Sequence, residues 1–160
     1  DITFTRHNFH SDEIESKFVL REPLIFILPK DHPLAKYERI PVTALNGIDF
    51  IIPAKEQSST LHDVILDFAK AHSIEFNIVQ RADNILFNIN SIGMGLGCTI
   101  LPGYIAPLTM NNTVIRSLDV ELPYLDLYAS YRKDRNSVAV DKFIELLTRV
   151  FYLDINRTEG

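Results

Sequence analysis

Two periods of apolar spacing divide the chain into elements. Residues 1–5 (D-I-T-F-T) alternate polar and apolar as a strand does. Residues 10–17 are polar and acidic and read as a surface loop, followed by a short strand at 18–21. The run 24–28 (L-I-F-I-L) is continuously apolar, so both of its faces are expected to be covered, and Pro29 and Pro33 end it. Residues 41–45 read as one helical turn opened by Pro41. The strand 48–52 (I-D-F-I-I) is stopped by Pro53. Beyond a polar loop, Leu61, Val64, Ile65, Phe68 and Ala69 fall on one helical face. Thr60 and Asp63 have capping-box spacing, which predicts a helix start near Ser59 or Thr60. A strand at 76–79 completes a βαβ unit. Residues 85–92 fit both periods: Ile85, Ile89 and Ile92 suit a helix, Ile85, Phe87 and Ile89 a strand. Asn84, Asn88 and Asn90 are poor helix formers, yet parallel strands on either side need a crossover, which decides for a helix. A strand at 98–101, a short helix at 103–108, strands at 113–117 and 125–131 and a charged loop at 132–136 follow. Val140, Phe143, Ile144, Leu147, Val150 and Phe151 line one face of a terminal helix, and 154–160 is a polar tail expected to fray. The class is α/β with a mainly parallel sheet.

Gly93, Gly95 and Gly97 stand at alternate positions between the apolar segment 85–92 and the apolar run 98–101. A dinucleotide loop follows a strand and opens a helix; these glycines close a helix and lead into a strand, so they mark an αβ turn instead. Pro102-Gly103 then ends the strand.

Composition narrows the function classes. The chain has 160 residues, 46% hydrophobic and 23% charged, within the range of globular domains. Its net charge of −5 argues against this segment gripping nucleic acid by phosphate neutralisation. The one cysteine, Cys98, lies in an apolar run and reads as a buried structural thiol. No window is long and apolar enough to span a membrane. Residue 1 is Asp rather than Met, already inside a strand, so the chain reads as part of a longer polypeptide. The histidines are scattered; His7 and His10 have helical spacing but fall in a polar loop. No G-x-S-x-G elbow, Walker loop or isolated carboxylate pair occurs, so no catalytic residue, metal site or cofactor is nominated.

One loop stands out chemically. Ligands of open parallel sheets bind beyond the C-terminal strand ends. Pro53 and the residues after it occupy such an end and supply Lys55, the hydroxyls of Ser58, Ser59 and Thr60, and the N–H groups of a helix start. That set suits a carboxylate or another oxyanion. The plainer reading is a capped helix behind an ordinary surface loop. Arg6, a charge ending an apolar strand, is a second candidate, with a plain surface arginine as its alternative.

Taken in order, D-I-T-F-T-R, L-R-E-P-L-I-F-I-L-P-K-D-H-P-L-A, I-P-V-T-A-L-N-G-I-D-F-I-I, S-I-G-M-G-L-G-C-T-I-L-P and Y-R-K-D before the terminal helix resemble the effector-binding domain of LysR-type transcriptional regulators. The resemblance implies a periplasmic-binding-protein-like α/β fold with two Rossmann-like lobes around an effector cleft, the first lobe incomplete in this chain. Subdomain II would cover about 21–117, and subdomain I would hold 1–6 and about 118–153. Effector contacts would come from Thr5, Arg6, Pro53, Lys55, Ser58, Ser59, Thr60 and Asn84. The implied function is non-enzymatic: a cytoplasmic module that senses a small-molecule effector, a carboxylate or other anion, and controls transcription allosterically. DNA would be bound only through an N-terminal helix-turn-helix absent from this chain. A homo-oligomer is implied, with the helix 59–71 and strand 76–79 forming half of a head-to-tail dimer contact. The alternative is a solute-binding protein of a transporter.

Overall fold

The computed structural model describes residues 2–9, 11–134 and 137–155, with side chains up to Val150. The expectations for Asp1, His10, Arg135, Asn136, the side chain of Phe151 and the tail at 156–160 lie outside the described residues. The chain divides into two units, Pro23–Leu125 on one hand and Asp1–Glu22 with Asp126–Gly160 on the other.

The apolar runs build the sheet of the first of these. Its strands are the second part of β2 (Ile14–Pro29), β3 (Arg39–Ile40), β4 (Asp49–Pro53), β5 (Asn77–Ala82), β6 (Thr99–Pro102) and β7 (Thr113–Leu118). β2 pairs antiparallel with β6 and with β7, β3 pairs parallel with β7, and β4 pairs parallel with β5. A parallel bridge between Phe50 and Cys98 joins β4 to β6. The order is therefore β5-β4-β6-β2-β7-β3, with β2 alone running against the rest, as a mainly parallel α/β sheet predicts. Phe26, Ile27, Leu28, Ile51, Ile52, Ile100 and Leu101 are buried, so the continuous runs are covered on both faces. Each such side chain contributes about 1.5–3 kcal/mol by leaving water. Phe50 stacks on Phe76 with centroids 4.0 Å apart.

Helix α1 (Ser59–Ala71) packs on β4 and buries Leu61, Ile65, Phe68 and Ala69. Helix α2 (Ile85–Gly93) packs on β4 and β5 and buries Ile89 and Ile92, the helical reading of that ambiguous segment. Short 3-10 helices at Pro33–Lys36, Val42–Leu45 and Gly103–Leu108 complete the unit.

The glycine stretch is the turn from α2 into β6. Gly95 has φ +81°, a left-handed conformation that favours glycine. Gly97 solves a different problem. A Cβ there would stand 2.8 Å from the carbonyl oxygen of Asp49. Without it, the Cys98 N–H reaches that oxygen at 2.8 Å, and the Ile51 N–H reaches the Cys98 carbonyl at 2.8 Å. Cys98 is fully buried, and burial pushes its thiol up to about 12.

In the other unit, β1 (Ile2–Thr5) pairs antiparallel with β8 (Tyr124–Arg132). Val19, Ala129, Tyr131 and Ile144 form its core, with Val140 and Leu147 of helix α3 (Val138–Ile155) against them. Among the described residues, no helix is long and apolar enough to cross a membrane.

Three local expectations change. The loop expected over 10–17 gives way to strand at Ile14, and the strands expected at 18–21 and 24–28 are one strand, β2, running through Pro23. Proline lacks only its donor, and a strand tolerates it where no ladder bond is due. Helix α1 starts at Ser59, as expected, but Asp63 pairs with Lys55 instead of closing a capping box with Thr60. Arg132, expected in a loop, ends β8.

Two outcomes follow from the turn. Gly97→Ala is expected to lower unfolding free energy in urea by about 1–3 kcal/mol, the cost of overpacking, and a change within 0.5 kcal/mol of zero contradicts the close approach. Cys98 is expected to resist a disulfide reagent in the folded chain and to react promptly in denaturant; equal rates in the two states contradict its burial.

Candidate functional site

The loop after β4 is built by backbone bonds. Pro53 registers with Ala82 at the end of β5, and the Ala54 N–H donates to the Ala82 carbonyl at 2.9 Å. The N–H groups of Gln57 and Ser58 both donate to the Ala54 carbonyl at 3.1 Å, folding 54–58 into a tight turn. His62, on the first turn of α1, clasps the two ends of this loop. Its N–H donates to the Ser58 carbonyl at 3.0 Å, and its Nδ1 lies 2.8 Å from the Pro53 carbonyl. A carbonyl only accepts, so Nδ1 carries the proton. His62 is 6% exposed.

The two helices that start at this strand-end edge differ. Asn84 caps α2: its Oδ1 accepts the Phe87 N–H at 2.8 Å. Ser58 caps α1 in position only, because its hydroxyl accepts no backbone N–H. The Ser58 hydroxyl thus does not close the first turn of α1, where the helix dipole favours negative charge. Ser59 is exposed, and Ser58 and Thr60 are half-buried beside it. Lys55, 60% exposed, holds Asp63 at 3.0 Å, so its charge is shared with a carboxylate rather than left open.

Topology singles out the same place. The connection from β4 leads through α1 to β5 on one side; the connection from β6 leads to β7 on the other. Neighbouring strands whose connections depart in opposite directions open a crevice at their C-terminal ends. The edge between β4 and β6 is such a switch point, and Pro53 to Thr60 border it.

The sequence candidates separate as follows. Pro53, Lys55, Ser58, Ser59, Thr60 and Asn84 gather at this one edge of the Pro23–Leu125 unit. Thr5 and Arg6 belong to the other unit. There the Thr5 hydroxyl donates to the His7 carbonyl at 2.8 Å and lies 3.3 Å from Ser130 Oγ, which is 2.7 Å from Ser16 Oγ. Thr5 also lines a concavity of about 350 Å³ with Phe9, Ile14 and Tyr131. Arg6 acts on Asp126, whose carboxyl is held below its ordinary range. The main cause is the Arg21 hydrogen bonding, at 2.8 Å and 3.0 Å, with smaller help from Tyr128 and Arg6. His62 was missed in the sequence; its only signal was a polar residue between Leu61 and Ile65 on an apolar face. Among the described residues, no group of His, Cys, Asp and Glu is placed to hold a metal ion.

Comparison with known proteins places the domain. A family model described as the LysR substrate binding domain matches residues 1–151, and the chain belongs to that family. It is 33% identical over 147 residues to the Hca operon transcriptional activator HcaR of Escherichia coli (strain K12), covering 92% of this chain and 50% of HcaR. It thus spans about half the length of that relative. The effector binding domain of BenM with its effector benzoate superposes with TM-score 0.79 at 14% identity, over 96% of this chain and 70% of that one. The effector binding domain of QuiR in complex with shikimate gives TM-score 0.80 at 18% identity, over 95% and 72%. The fold is that of these domains, the periplasmic-binding-protein-like α/β fold expected from the sequence.

The Asp126 cluster yields a signed prediction. A carboxyl depressed on folding adds stability that is present above its unfolded pKa, near 3.9, and is lost as pH falls through its folded value. Asp126→Asn is expected to lower Tm at pH 7 and to lose that deficit in acid, as the pH falls through the lowered folded pKa. A deficit of equal size at pH 7 and in acid contradicts the linkage.

Proposed function

We propose that this chain is the effector-sensing module of a LysR-type transcriptional regulator, and that its effector is a small carboxylate or related oxyanion received by the loop from Pro53 to Thr60. The observation that carries the reading is the start of α1 at the β4/β6 switch point: a helix N-terminus whose cap residue, Ser58, makes no side-chain cap bond, with three hydroxyls and a lysine beside it. An incoming carboxylate replaces Asp63 as the partner of Lys55. That exchange costs little, since an exposed ion pair is worth about 0–1 kcal/mol. Benzoate and shikimate, named with BenM and QuiR, are both carboxylates, which supports the ligand class.

In this reading the Pro23–Leu125 unit is subdomain II, and the other unit holds the remaining parts of subdomain I. Asn84 contributes through its helix start rather than its side-chain oxygen, which the Phe87 N–H already occupies. Thr5 and Arg6 are effector contacts of subdomain I, tested separately by Arg6→Ala. Binding shifts a pre-existing equilibrium, and linked DNA-binding segments read the shift. DNA contact belongs to a helix-turn-helix elsewhere in the regulator, which works in the cytoplasm. Exposed Leu66 on α1 and Val79 on the sheet-edge strand β5 support a head-to-tail dimer contact. The transporter alternative has no support among the relatives, which are transcriptional regulators.

The double substitution Ser58→Ala with Ser59→Ala is expected to weaken binding of benzoate or shikimate about tenfold or more by calorimetry, the loss of a hydrogen bond to a charged group. The urea midpoint is expected to hold. Unchanged affinity overturns the site.

A further inference from the structure

We propose that the Pro23–Leu125 unit holds a second small-molecule site, at the β3 edge of its sheet, where Arg39 receives the carboxylate of a ligand with an apolar body and a single negative charge. The site is separate from the Pro53–Thr60 loop and stands or falls without it.

Topology places it. A concavity of about 290 Å³ lies against β2, β7 and β3, whereas the Pro53–Thr60 loop follows β4 on the other side of β6. Leu118, which closes β7, lines it, and β3 runs parallel to β7 at this end. Leu24 of β2 lines it as well and registers with Pro102, the last residue of β6. The concavity therefore opens at the C-terminal ends of the parallel strands, the edge at which open sheets receive ligands. Ligand pockets run from about 300 to 1,000 Å³. This one is at the small end and suits a single ring or a short chain.

Arg39 supplies the charge. It registers with Ser117 of β7, so the two side chains leave the sheet on one face, and Arg116, one residue earlier, leaves on the other. The Arg39 Nε–H donates to the Leu118 carbonyl at 2.9 Å, and both residues line the concavity, so this bond holds the guanidinium against its wall. Among the described residues no carboxylate pairs with Arg39. With Nε engaged, the terminal N–H groups remain, a fork that matches the two oxygens of a carboxylate. A surface arginine loses side-chain freedom when it binds; this one has given up part of that freedom on folding. Ile25, Ile115, Leu122 and Tyr124 line the same concavity, with Ile115 and Tyr124 exposed, and they offer cover to an apolar body. Glu121 lines it too without pairing with Arg39, and its charge opposes a second negative group on the ligand. Together they select a monocarboxylate over a dicarboxylate or a phosphate.

The test titrates benzoate into the full chain, isotope-labelled in its isoleucine, leucine and arginine side chains, and follows the NMR signals. Those of Ile115, Leu122 and the Arg39 Nε–H are expected to move along one saturation curve. Arg39→Gln is expected to weaken that curve about tenfold or more, the loss of hydrogen bonds to a charged group, while holding Tm. Arg39→Lys, which keeps the charge without the fork, is expected to recover little of the loss. Ser58→Ala with Ser59→Ala is expected to leave the curve unchanged. Benzyl alcohol, the same ring without the charge, is expected to give no such curve, and phthalate, with two carboxylates, to bind about tenfold more weakly than benzoate. No movement at Ile115 and Leu122, an unchanged curve in Arg39→Gln, or an equal response to benzyl alcohol overturns the proposal. Equal binding of phthalate overturns the single-charge assignment. Shifts confined to residues 53–60 overturn the second site and leave the oxyanion reading of that loop standing; a curve lost in the double serine variant assigns the shifts to the loop and does the same.

Discussion

Two backbone hydrogen bonds around Cys98 hold the larger unit together. The Cys98 N–H reaches the Asp49 carbonyl and the Cys98 carbonyl receives the Ile51 N–H, each at 2.8 Å. They join the β4–β5 pair to the strands gathered on β2, turning two small sheets into one. They form only because position 97 has no side chain: any Cβ would stand inside the contact distance of the Asp49 carbonyl. The consequence extends past stability. β4 and β6 become neighbours whose outgoing connections part in opposite directions, and that parting opens the edge where the candidate site lies. Architecture and chemistry therefore depend on the same missing methyl group.

This also explains why so much of the fold was legible in the sequence. Alternate glycines between a helix-period segment and a short apolar run admit few geometries, and the order of elements excluded a phosphate loop. Continuous apolar runs announced strands covered on both faces, and Phe26 to Leu28 and Phe50 to Ile52 are such strands. The departures have local causes. Pro23 looked like a strand end, but proline interrupts a strand only where a ladder donor is required, and β2 passes through it. The successive hydroxyls Ser59 and Thr60 left the helix start open by one residue, and it falls at Ser59. The capping-box spacing misled because Asp63 pairs with Lys55 instead.

The site was legible in outline and not in its supports. Hydroxyls and a lysine after a strand are visible as residue types in order. His62 is not, because its role depends on a carbonyl nine residues earlier that only the folded loop brings to its ring. Asn88 was visible only as a poor helix former. That its side-chain oxygen is buried without a hydrogen-bond partner emerges only from a census of hydrogen bonds, and periodicity contains no such information.

That census separates scaffold from function more sharply than conformation does. A folded chain satisfies its buried polar groups because leaving them unmade is costly. Ser91, Thr99, Thr113 and His62 follow the rule and serve the scaffold. α2 follows it too, with Asn84 closing its first turn. α1 starts at the same edge, in the same unit, behind a serine equally able to cap, and the serine does not do so. Side by side, the cap residue of one helix closes its first turn and that of the other does not. The difference falls at the edge where the connections of β4 and β6 part, which is where an open parallel sheet receives a ligand.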